Sequence, residues 1–253
     1  MASQFSITNT GTFDILAGSN ISGKPFTAGP IPPTGVVTSN LLLHLDAANA
    51  TSYPGSGTTW FDLSGNGNNF TLVNSPTFVS NGNASAFDFL PSSFQHAIST
   101  GSIDLQRNFT LEMWLNADSL AGSLRGIFGQ GVAQLNKAIA IFIRDKVLFS
   151  MYGNDFEIAT TFTTGVWYHV VCTYNHSSPF QKQIYRNGSL LGQSTSGQAQ
   201  YEGTGALRVG APYGALNQEM MDGKIGIARA YSKILSAAEI LQNYNAEKSR
   251  YGL

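Results

Sequence analysis

The sequence predicts an all-β protein: a two-sheet antiparallel sandwich with one short C-terminal helix and an extended N-terminal arm. Short apolar runs recur along the chain and turn residues separate them, a pattern typical of sandwiches. The polar residues are mainly Ser, Thr, Asn and Gln, and there are 27 glycines, while charged residues make up only 11% of the 253 residues. Soluble domains average roughly 25% charged residues, so the composition itself favours turn-rich β-structure.

The clearest strand signals lie in the middle of the chain. Residues 109–116 alternate apolar and polar side chains with period two, and residues 139–143 do the same. Asn187-Gly188 separates two further runs and predicts a two-residue hairpin, because both turn positions need positive φ. Other short apolar runs that predict strands are 41–46, 147–151, 166–174, 206–210 and 225–231.

One helix is predicted near the C-terminus. Ser236 and Glu239 have the spacing of a capping box, in which the serine accepts from the third helical amide and the glutamate reaches back. Ile240, Leu241 and Tyr244 then share one face of the helix. We expect this face to pack on the sandwich.

The first 39 residues differ from the rest of the chain. They carry only two charged side chains, Asp14 and Lys24, and they end in the Pro/Gly-rich stretch 28–35, which predicts a stiff extended linker. We therefore divide the chain into an arm with its linker, 1–39, and a sandwich domain, 40–253. We expect the arm to dock on a neighbouring subunit of a homo-oligomer, and the alternative is an arm folded against its own domain.

Charge and hydropathy argue against several partners. The net charge is −1, and the 14 Lys and Arg residues form no run, so neither a nucleic-acid backbone nor an anionic membrane is an expected partner. No apolar stretch approaches the roughly 20 residues that span a bilayer. The start of the chain, residues 1–5, lacks the basic and apolar parts of a secretory signal. The single cysteine, Cys172, is predicted to be a buried core thiol.

Several segments follow one another in the order found in one superfamily. They read LHLD (43–46), WFDLSGNGNN (60–69), AFDF (86–89), FTLEMW (109–114), WYHV (167–170), YRNG (185–188) and DGKIGIARAY into LSAAEI (222–240). Together they resemble the concanavalin A-like lectin/glucanase superfamily, in its laminin G-like form. The resemblance implies a jelly-roll topology for the sandwich. The tail, 242–253, is also similar to the ends of laminin G-like proteins of tailed bacteriophages, which implies a role on a virion surface.

No catalytic constellation is predicted. Glycosidases on this fold need two carboxylates on one strand face, and residues two apart share a face. Glu112 is the only acid on its predicted strand, and the strand beginning near Phe156 offers only Glu157. There is no Gly-x-Ser-x-Gly elbow for a serine nucleophile. We therefore expect a protein that is not an enzyme.

No cofactor is predicted, and calcium is the one metal that the sequence leaves open. Asp62, Asn66, Asn68 and Asp222 supply the hard oxygen ligands that calcium prefers. The resembled family often has an aspartate after the isoleucine of its last strand, where this chain has Gly226, and this lowers the expectation of a structural calcium ion. The loop 62–69 is predicted instead to be a tight turn held by Asx hydrogen bonds.

Sugar binding requires exposed aromatic rings beside polar side chains, because a sugar stacks its apolar face on a ring while its hydroxyls need partners. Tyr152, Asn154, Tyr201 and Tyr213 lie in predicted loops and fit that description. They are the predicted carbohydrate-binding residues. His169 is predicted to be a core histidine with a structural hydrogen bond.

These observations favour a non-catalytic virion structural protein, a capsid decoration or fibre component that is made in the host cytoplasm and displayed on the virion surface. Its expected partners are other virion proteins, through the arm, and cell-surface glycans. The alternative is a carbohydrate-binding module, with an extracellular location if the protein is not virion-borne. A glycoside hydrolase is the third hypothesis, disfavoured by the missing carboxylate pair.

Overall fold

The computed structural model describes residues 35–195, 199–214 and 219–253. Every described residue belongs to one compact unit, Thr34–Leu253. The predicted arm, 1–39, therefore lies outside the described residues except for 35–39. Within the described part, no helix has the length and apolar character needed to cross a membrane.

The described residues form two antiparallel sheets, which confirms the predicted sandwich. In chain order the strands are β1 (Leu41–Asp46), β2 (Thr59–Trp60), β3 (Phe70–Val73), β4 (Thr77–Val79), β5 (Ala86–Phe89), β6 (His96–Ser102), β7 (Phe109–Ala117), β8 (Arg125–Gly131), β9 (Ala138–Ile143), β10 (Lys146–Ser150), β11 (Asp155–Ala159), β12 (Trp167–Asn175), β13 (Gln181–Arg186), β14 (Ser189–Ser194), β15 (Ala206–Val209) and β16 (Gly223–Tyr231). Sheet A has the order β14-β13-β12-β7-β16-β5-β4, with β1 also paired to β16. Sheet B has the order β11-β10-β9-β8-β15-β6-β3-β2.

The hydrophobic core lies between the two sheets. Sheet A contributes Phe109 and Met113 from β7, and sheet B contributes Ile141 from β9 and Phe149 from β10. The rings of Phe109 and Phe149 meet edge to face across the interface, with centroids 6.1 Å apart. Such inward-facing residues alternate with outward-facing ones along each strand, as the period-two pattern predicts.

The predicted hairpin between β13 and β14 is confirmed. Asn187 and Gly188 have φ values of 51° and 77°, the positive values that a two-residue turn of this kind requires. Asn187 also accepts a hydrogen bond from the backbone amide of His169 at 3.0 Å. The side chain therefore ties the turn to the neighbouring strand β12.

The C-terminal helix α1 (Ala237–Glu247) begins at the predicted capping box, since Ser236 accepts from the amide of Glu239 and the Glu239 side chain accepts from the amide of Ser236. It packs on the outer face of sheet A and buries Ile240 and Asn243. As a result all nine residues of β7 are buried, the polar half of its alternation included. A two-residue period specifies a strand but says nothing about what covers its outer face.

Candidate functional site

The outer face of sheet B has a floor of small residues on β8. An added Cβ at Gly126 would lie 2.8 Å from the backbone nitrogen of Pro212, and a Cβ at Gly129 would overlap the Pro212 backbone. These two glycines therefore let the segment 210–214, which follows β15, lie directly on the sheet. The position of Tyr213 depends on this close approach.

The turn between β10 and β11 presents a second tyrosine. The amide of Met151 donates to the carbonyl of Asn154 at 3.1 Å and closes the turn. Tyr152 has φ 33° and Gly153 has φ 81°, so a bulky aromatic residue occupies a region that L side chains rarely adopt. Such a conformation costs about 1–3 kcal/mol and is often found at functional sites. The Tyr152 side chain is 40% exposed.

The two loops bring these tyrosines together. The ring centroids of Tyr152 and Tyr213 are 5.7 Å apart at an interplanar angle of 77°, an edge-to-face contact. Ser150 hydrogen-bonds to the Tyr213 side chain, and Asp155 lies directly opposite Ser150 in the β10–β11 pairing. Because Val147 and Phe149 face the core, Ser150 and Asp155 face outward beside the rings. We call Tyr152, Tyr213, Ser150 and Asp155 the aromatic site.

Burial raises the pKa of Tyr213, and the nearby Asp155 carboxylate raises it further, so the phenol stays protonated at neutral pH. The aromatic site thus combines two ring surfaces, a hydroxyl donor and an exposed carboxylate acceptor. The adjacent loop 132–137 adds Leu135, which is 64% exposed and packs against Gly153. This combination of apolar rings and polar acceptors suits a sugar, whose ring carries both apolar C–H faces and hydroxyl groups.

The other two predicted residues do not contribute exposed groups to this site. Tyr201 is 1% exposed, and its hydroxyl donates to Gln130 Oε1 at 3.0 Å inside the core. Asn154 is 6% exposed, and its side-chain amide donates to Asn136 Oδ1 at 3.3 Å. Both lie in loops, as predicted, but the expectation that they are exposed was wrong, because each side chain is hydrogen-bonded within the protein. The carbohydrate role of Tyr152 and Tyr213 stays a prediction.

A residue that sequence reasoning missed supports the aromatic site from below. Lys182 of β13 is fully buried, and its ammonium donates to the carbonyls of Phe149, at 3.4 Å, and of Asn154. It therefore holds both ends of the turn that carries Tyr152. Burial lowers the pKa of Lys182 to about 7. One signal in the sequence indicated this burial: Lys182 is in register with the inward-facing residues of β13 and therefore shares their face of the strand.

Glu112, the acid considered for catalysis, is bound within a buried network. Its oxygens accept from Arg229 at 2.9 Å and from Asn243 at 2.7 Å, and His169 Nε2 lies 3.1 Å away. Arg229 also pairs with Glu247 of α1. Burial alone would raise the pKa of Glu112, but the charge of Arg229 and the hydrogen bond with His169 lower it to about 2.

The network gives each of these groups a structural role. Glu112 and His169 are both 0% exposed, so neither can reach a substrate in the folded protein. The prediction that His169 is a hydrogen-bonded core histidine is confirmed. Cys172 is also buried, as predicted, and burial raises the pKa of its thiol.

The loop considered for calcium is held by its own side chains. Asp62 Oδ1 accepts from the amides of His44 and Ser64, each at 2.9 Å, and Oδ2 accepts from the amide of Asn68 at 3.0 Å. The side-chain amides of Asn66 and Asn68 donate to carbonyls of β1 at 2.8 Å. The predicted Asx-stabilised turn is confirmed.

The remaining calcium candidate lies elsewhere on the sandwich. Asp222 precedes β16 and is 3.5 Å from the Arg125 guanidinium. At Gly226, an added Cβ would lie 2.5 Å from the hydroxyl of Tyr251, so the C-terminal tyrosine fills the space that an aspartate would need. In the described ranges, no group of three or more His, Cys, Asp or Glu side chains is placed to hold a metal ion.

A cleft of about 390 Å³ opens at another place on the surface, between the loop after β1 and the loop after β4. Tyr53 and Phe78 line it together with small residues and with Ser80, Asn83 and Ser85. Two of these polar groups are bonded within the protein: Tyr53 donates to Gly57 O at 3.2 Å, and Ser85 donates to Gly82 O at 2.7 Å.

The chain belongs to the concanavalin A-like lectin/glucanases superfamily, whose family model matches residues 92–241. No curated protein sequence matches it. The fold is similar to a botulinum neurotoxin type G receptor binding domain, with a TM-score of 0.62 and 15% identity over 82% of this chain and 51% of that one. The chain thus spans about half of that domain.

Two further solved structures show the same fold. A Trypanosoma rangeli sialidase in complex with sialic acid has a TM-score of 0.63 and 18% identity, over 87% of this chain and 36% of that one. Domain 4 of AbnA, an extracellular arabinanase from Geobacillus stearothermophilus in complex with arabinotriose, has a TM-score of 0.60 and 14% identity, over 81% of this chain and 98% of that one.

Proposed function

We propose that this chain is a non-catalytic binding protein whose sandwich binds a glycan at the aromatic site. The observation that carries the proposal is the contact between Tyr152, which is exposed, and Tyr213, which is half-buried, on two loops that meet on the outer face of sheet B. Tyr152 is held at a positive φ, a strained conformation of the kind that clusters at functional sites. The similarity to domain 4 of AbnA, matched over nearly its whole length and bound to arabinotriose, supports a glycan as the ligand class.

The same proposal includes that the chain does not catalyse glycoside hydrolysis. Asp155 and Glu157 share the outer face of β11, so the prediction that this strand offers only Glu157 was wrong, and Lys146 pairs with Glu157 at 2.7 Å. Glu112 stands on the central strand β7 of sheet A, and Arg229 and Asn243 occupy its oxygens. A carboxylate that is buried and paired in this way cannot serve as nucleophile or acid toward a glycoside.

The experiment is a glycan array followed by titration with the strongest hit, using Tyr152→Gly as the test variant. Glycine adopts positive φ without strain, so this change removes the ring while unfolding free energy stays equal or rises by up to about 1 kcal/mol. We expect affinity to fall about tenfold or more, because a buried tyrosine contact at an interface is typically worth over about 1 kcal/mol.

Phe94→Gly is the matched control. Phe94 is also an aromatic residue at positive φ, 54°, with 43% of its surface exposed, but it lies after β5 and away from the aromatic site. Its replacement should leave glycan affinity unchanged. Equal loss of affinity in the two variants, or no glycan bound by the wild type at high protein concentration, would count against the proposal.

We also propose that the protein is a virion structural component, a capsid decoration or fibre subunit. The support is compositional: charged residues make up 11% of the chain, and residues 1–39 hold only two of them. In this proposal the arm contacts other virion proteins in a homo-oligomer. Light scattering after size exclusion, on the full chain and on a chain beginning at Ser39, tests it, and an assembly lost on truncation is the expected result. Two monomers of equal stability would contradict it.

A further inference from the structure

Arg208 lies near the middle of the outer face of sheet B. It is on β15, paired with Gly129 of β8 on one side and with Ile98 of β6 on the other. Because both of its neighbours along the strand face the core, the Arg208 side chain faces outward. The segment 210–214 lies over Gly129, so Arg208 is a direct neighbour of the backbone that carries Tyr213.

The other arginines of the described residues are each bound within the protein. Their partners are Asp104 for Arg107, Asp222 for Arg125, Asp145 for Arg144, the carbonyl of Thr161 for Arg186, Glu112 and Glu247 for Arg229, and Asp46 for Arg250. Arg208 differs from all of them, because its Nε is closed to solvent and has no hydrogen-bond partner among the described residues. Burial is the one cause that lowers the pKa of Arg208, so no carboxylate in the described ranges compensates its charge.

A half-buried cation of this kind is stabilised by a counter-charge. Burial of an unpaired charge costs free energy, and unpaired buried polar groups are rare in native proteins. The terminal nitrogens of Arg208 are not closed off as its Nε is, so a ligand can reach them. A guanidinium presents parallel N–H donors that match two oxygens of a carboxylate or a sulfate. The open edge of Arg208 therefore suits an oxyanion.

Two titratable groups on the same face bear on an anion at Arg208. His96 of β6 is buried, and its Nδ1 donates to the carbonyl of Phe94 at 3.0 Å. Burial lowers the pKa of His96 and the charge of Arg208 lowers it further, so the imidazole is neutral at neutral pH. Asp155 is four strand spacings away across the sheet, about 19 Å, and salt screens charges beyond about 8 Å. Arg208 therefore presents a single positive charge that this carboxylate does not cancel.

We infer that the outer face of sheet B recognises an acidic glycan and that Arg208 binds its carboxylate or sulfate group. This inference rests on the proposed glycan-binding function and names its ligand class. Arg208 and Ser150 of the aromatic site occupy one cross-strand row, three strand spacings or about 14 Å apart. A short oligosaccharide covers that distance, lying across the segment 210–214 with its sugar rings at Tyr152 and Tyr213 and its acidic group at Arg208.

The test compares an acidic glycan with its own neutral counterpart. The strongest acidic glycan from the array is titrated beside the same glycan after its carboxylate is reduced to the alcohol or its sulfate ester is removed. Whichever of the two treatments lowers affinity identifies the group that is bound. We expect the wild type to bind the acidic form at least about fivefold more tightly, because charge-assisted hydrogen bonds are stronger than neutral ones. This preference should decrease as salt screens the charges.

Two substitutions of Arg208 separate its charge from its geometry. Arg208→Met keeps an apolar stem and removes the charge, so the ratio of the two affinities should approach one. Arg208→Lys keeps the charge without the parallel donors and should retain part of the preference. Because Arg208 has no partner to lose in the described ranges, Arg208→Met should unfold at a temperature no lower than the wild type, whereas loss of a structural arginine would lower it.

Arg144→Met is the control, because Arg144 pairs with Asp145 at the surface and its loss changes the net charge equally. It should leave the ratio of affinities unchanged, and Tyr152→Gly should weaken the binding of both forms by the same factor. If the neutral form binds as well as the acidic form, or if the array yields only neutral glycans, the inference is overturned while the glycan-binding function stands. If no glycan in the array binds, the function itself fails and the inference fails with it.

Discussion

The two outer faces of the sandwich differ in whether their charged side chains are buried or exposed. On sheet A, helix α1 covers the strands and seals Glu112, Arg229 and Glu247 into a network that water does not reach. On sheet B, the carboxylate of Asp155 remains exposed beside two aromatic rings. The same fold thus carries one acid that is bound within a packed layer and another that is exposed to solvent.

The faces also differ in where strain and close packing occur. The network on sheet A satisfies its charges with short hydrogen bonds between side chains of regular elements. The aromatic site needs a tyrosine at positive φ, two glycines that allow Pro212 onto the sheet, and a buried lysine beneath the turn. The charge network on sheet A therefore stands on regular elements, whereas the aromatic site depends on a strained turn, the kind of backbone often found at functional sites.

The largest expected effect comes from breaking the network on sheet A. Arg229→Met leaves Glu112 buried without its cation and leaves Glu247 with only Arg250, 3.7 Å away, which should lower the unfolding free energy by about 3–5 kcal/mol. Denaturant unfolding at neutral pH measures it. Arg144→Met is the control, because Arg144 pairs with Asp145 at the surface, where removal costs at most about 1 kcal/mol. Similar losses in the two variants would show that the buried network contributes no more than a surface pair.

A smaller effect should follow from Gly129→Ala on sheet B. The new Cβ meets the Pro212 backbone and must displace the segment that carries Tyr213, so we expect a loss of about 1–3 kcal/mol together with weaker glycan binding. Gly101→Ala in β6 is the matched control, since a Cβ there meets nothing within 4 Å. Full glycan affinity in Gly129→Ala would mean that the position of Tyr213 does not matter for binding.

The sequence predicted the elements well but only part of the site. The strands, the hairpin and the helix were predicted correctly because each depends on residues close in the chain. Alternation predicted the strands, the Asn187-Gly188 turn predicted the hairpin, and the Ser236–Glu239 capping box predicted the helix. Tyr152 and Tyr213 could be chosen as loop tyrosines, but their meeting depends on long-range packing over Gly129. Tyr201 was misplaced for the same reason, because its burial is decided by its distant partner Gln130.

The smallest effect concerns Lys182, which belongs to the core yet supports the exposed face. Its pKa is lowered by burial to about 7 from an ordinary value near 10.5, so between these limits the unfolded chain binds more protons than the folded one. The free energy of unfolding therefore increases as pH rises above about 7, and this gain is lost as pH falls back toward 7. From pH 7 to pH 8.5 the gain should reach up to about 2 kcal/mol, and above pH 9 ionisation of Cys172 in the unfolded chain opposes it.

Lys182→Met should remove that dependence on pH, because the methionine fills the same volume without a titrating group. Thermal unfolding of both proteins at pH 7 and pH 8.5 gives the comparison, with Lys146→Met, at a partly exposed pair, as the control.

Lys182→Met also loses the ammonium that holds the carbonyls of Phe149 and Asn154, so glycan affinity should fall even where stability does not. A parallel pH dependence in wild type and variant would show that Lys182 is charged in the folded protein, and unchanged affinity would show that the turn carrying Tyr152 holds its shape without it.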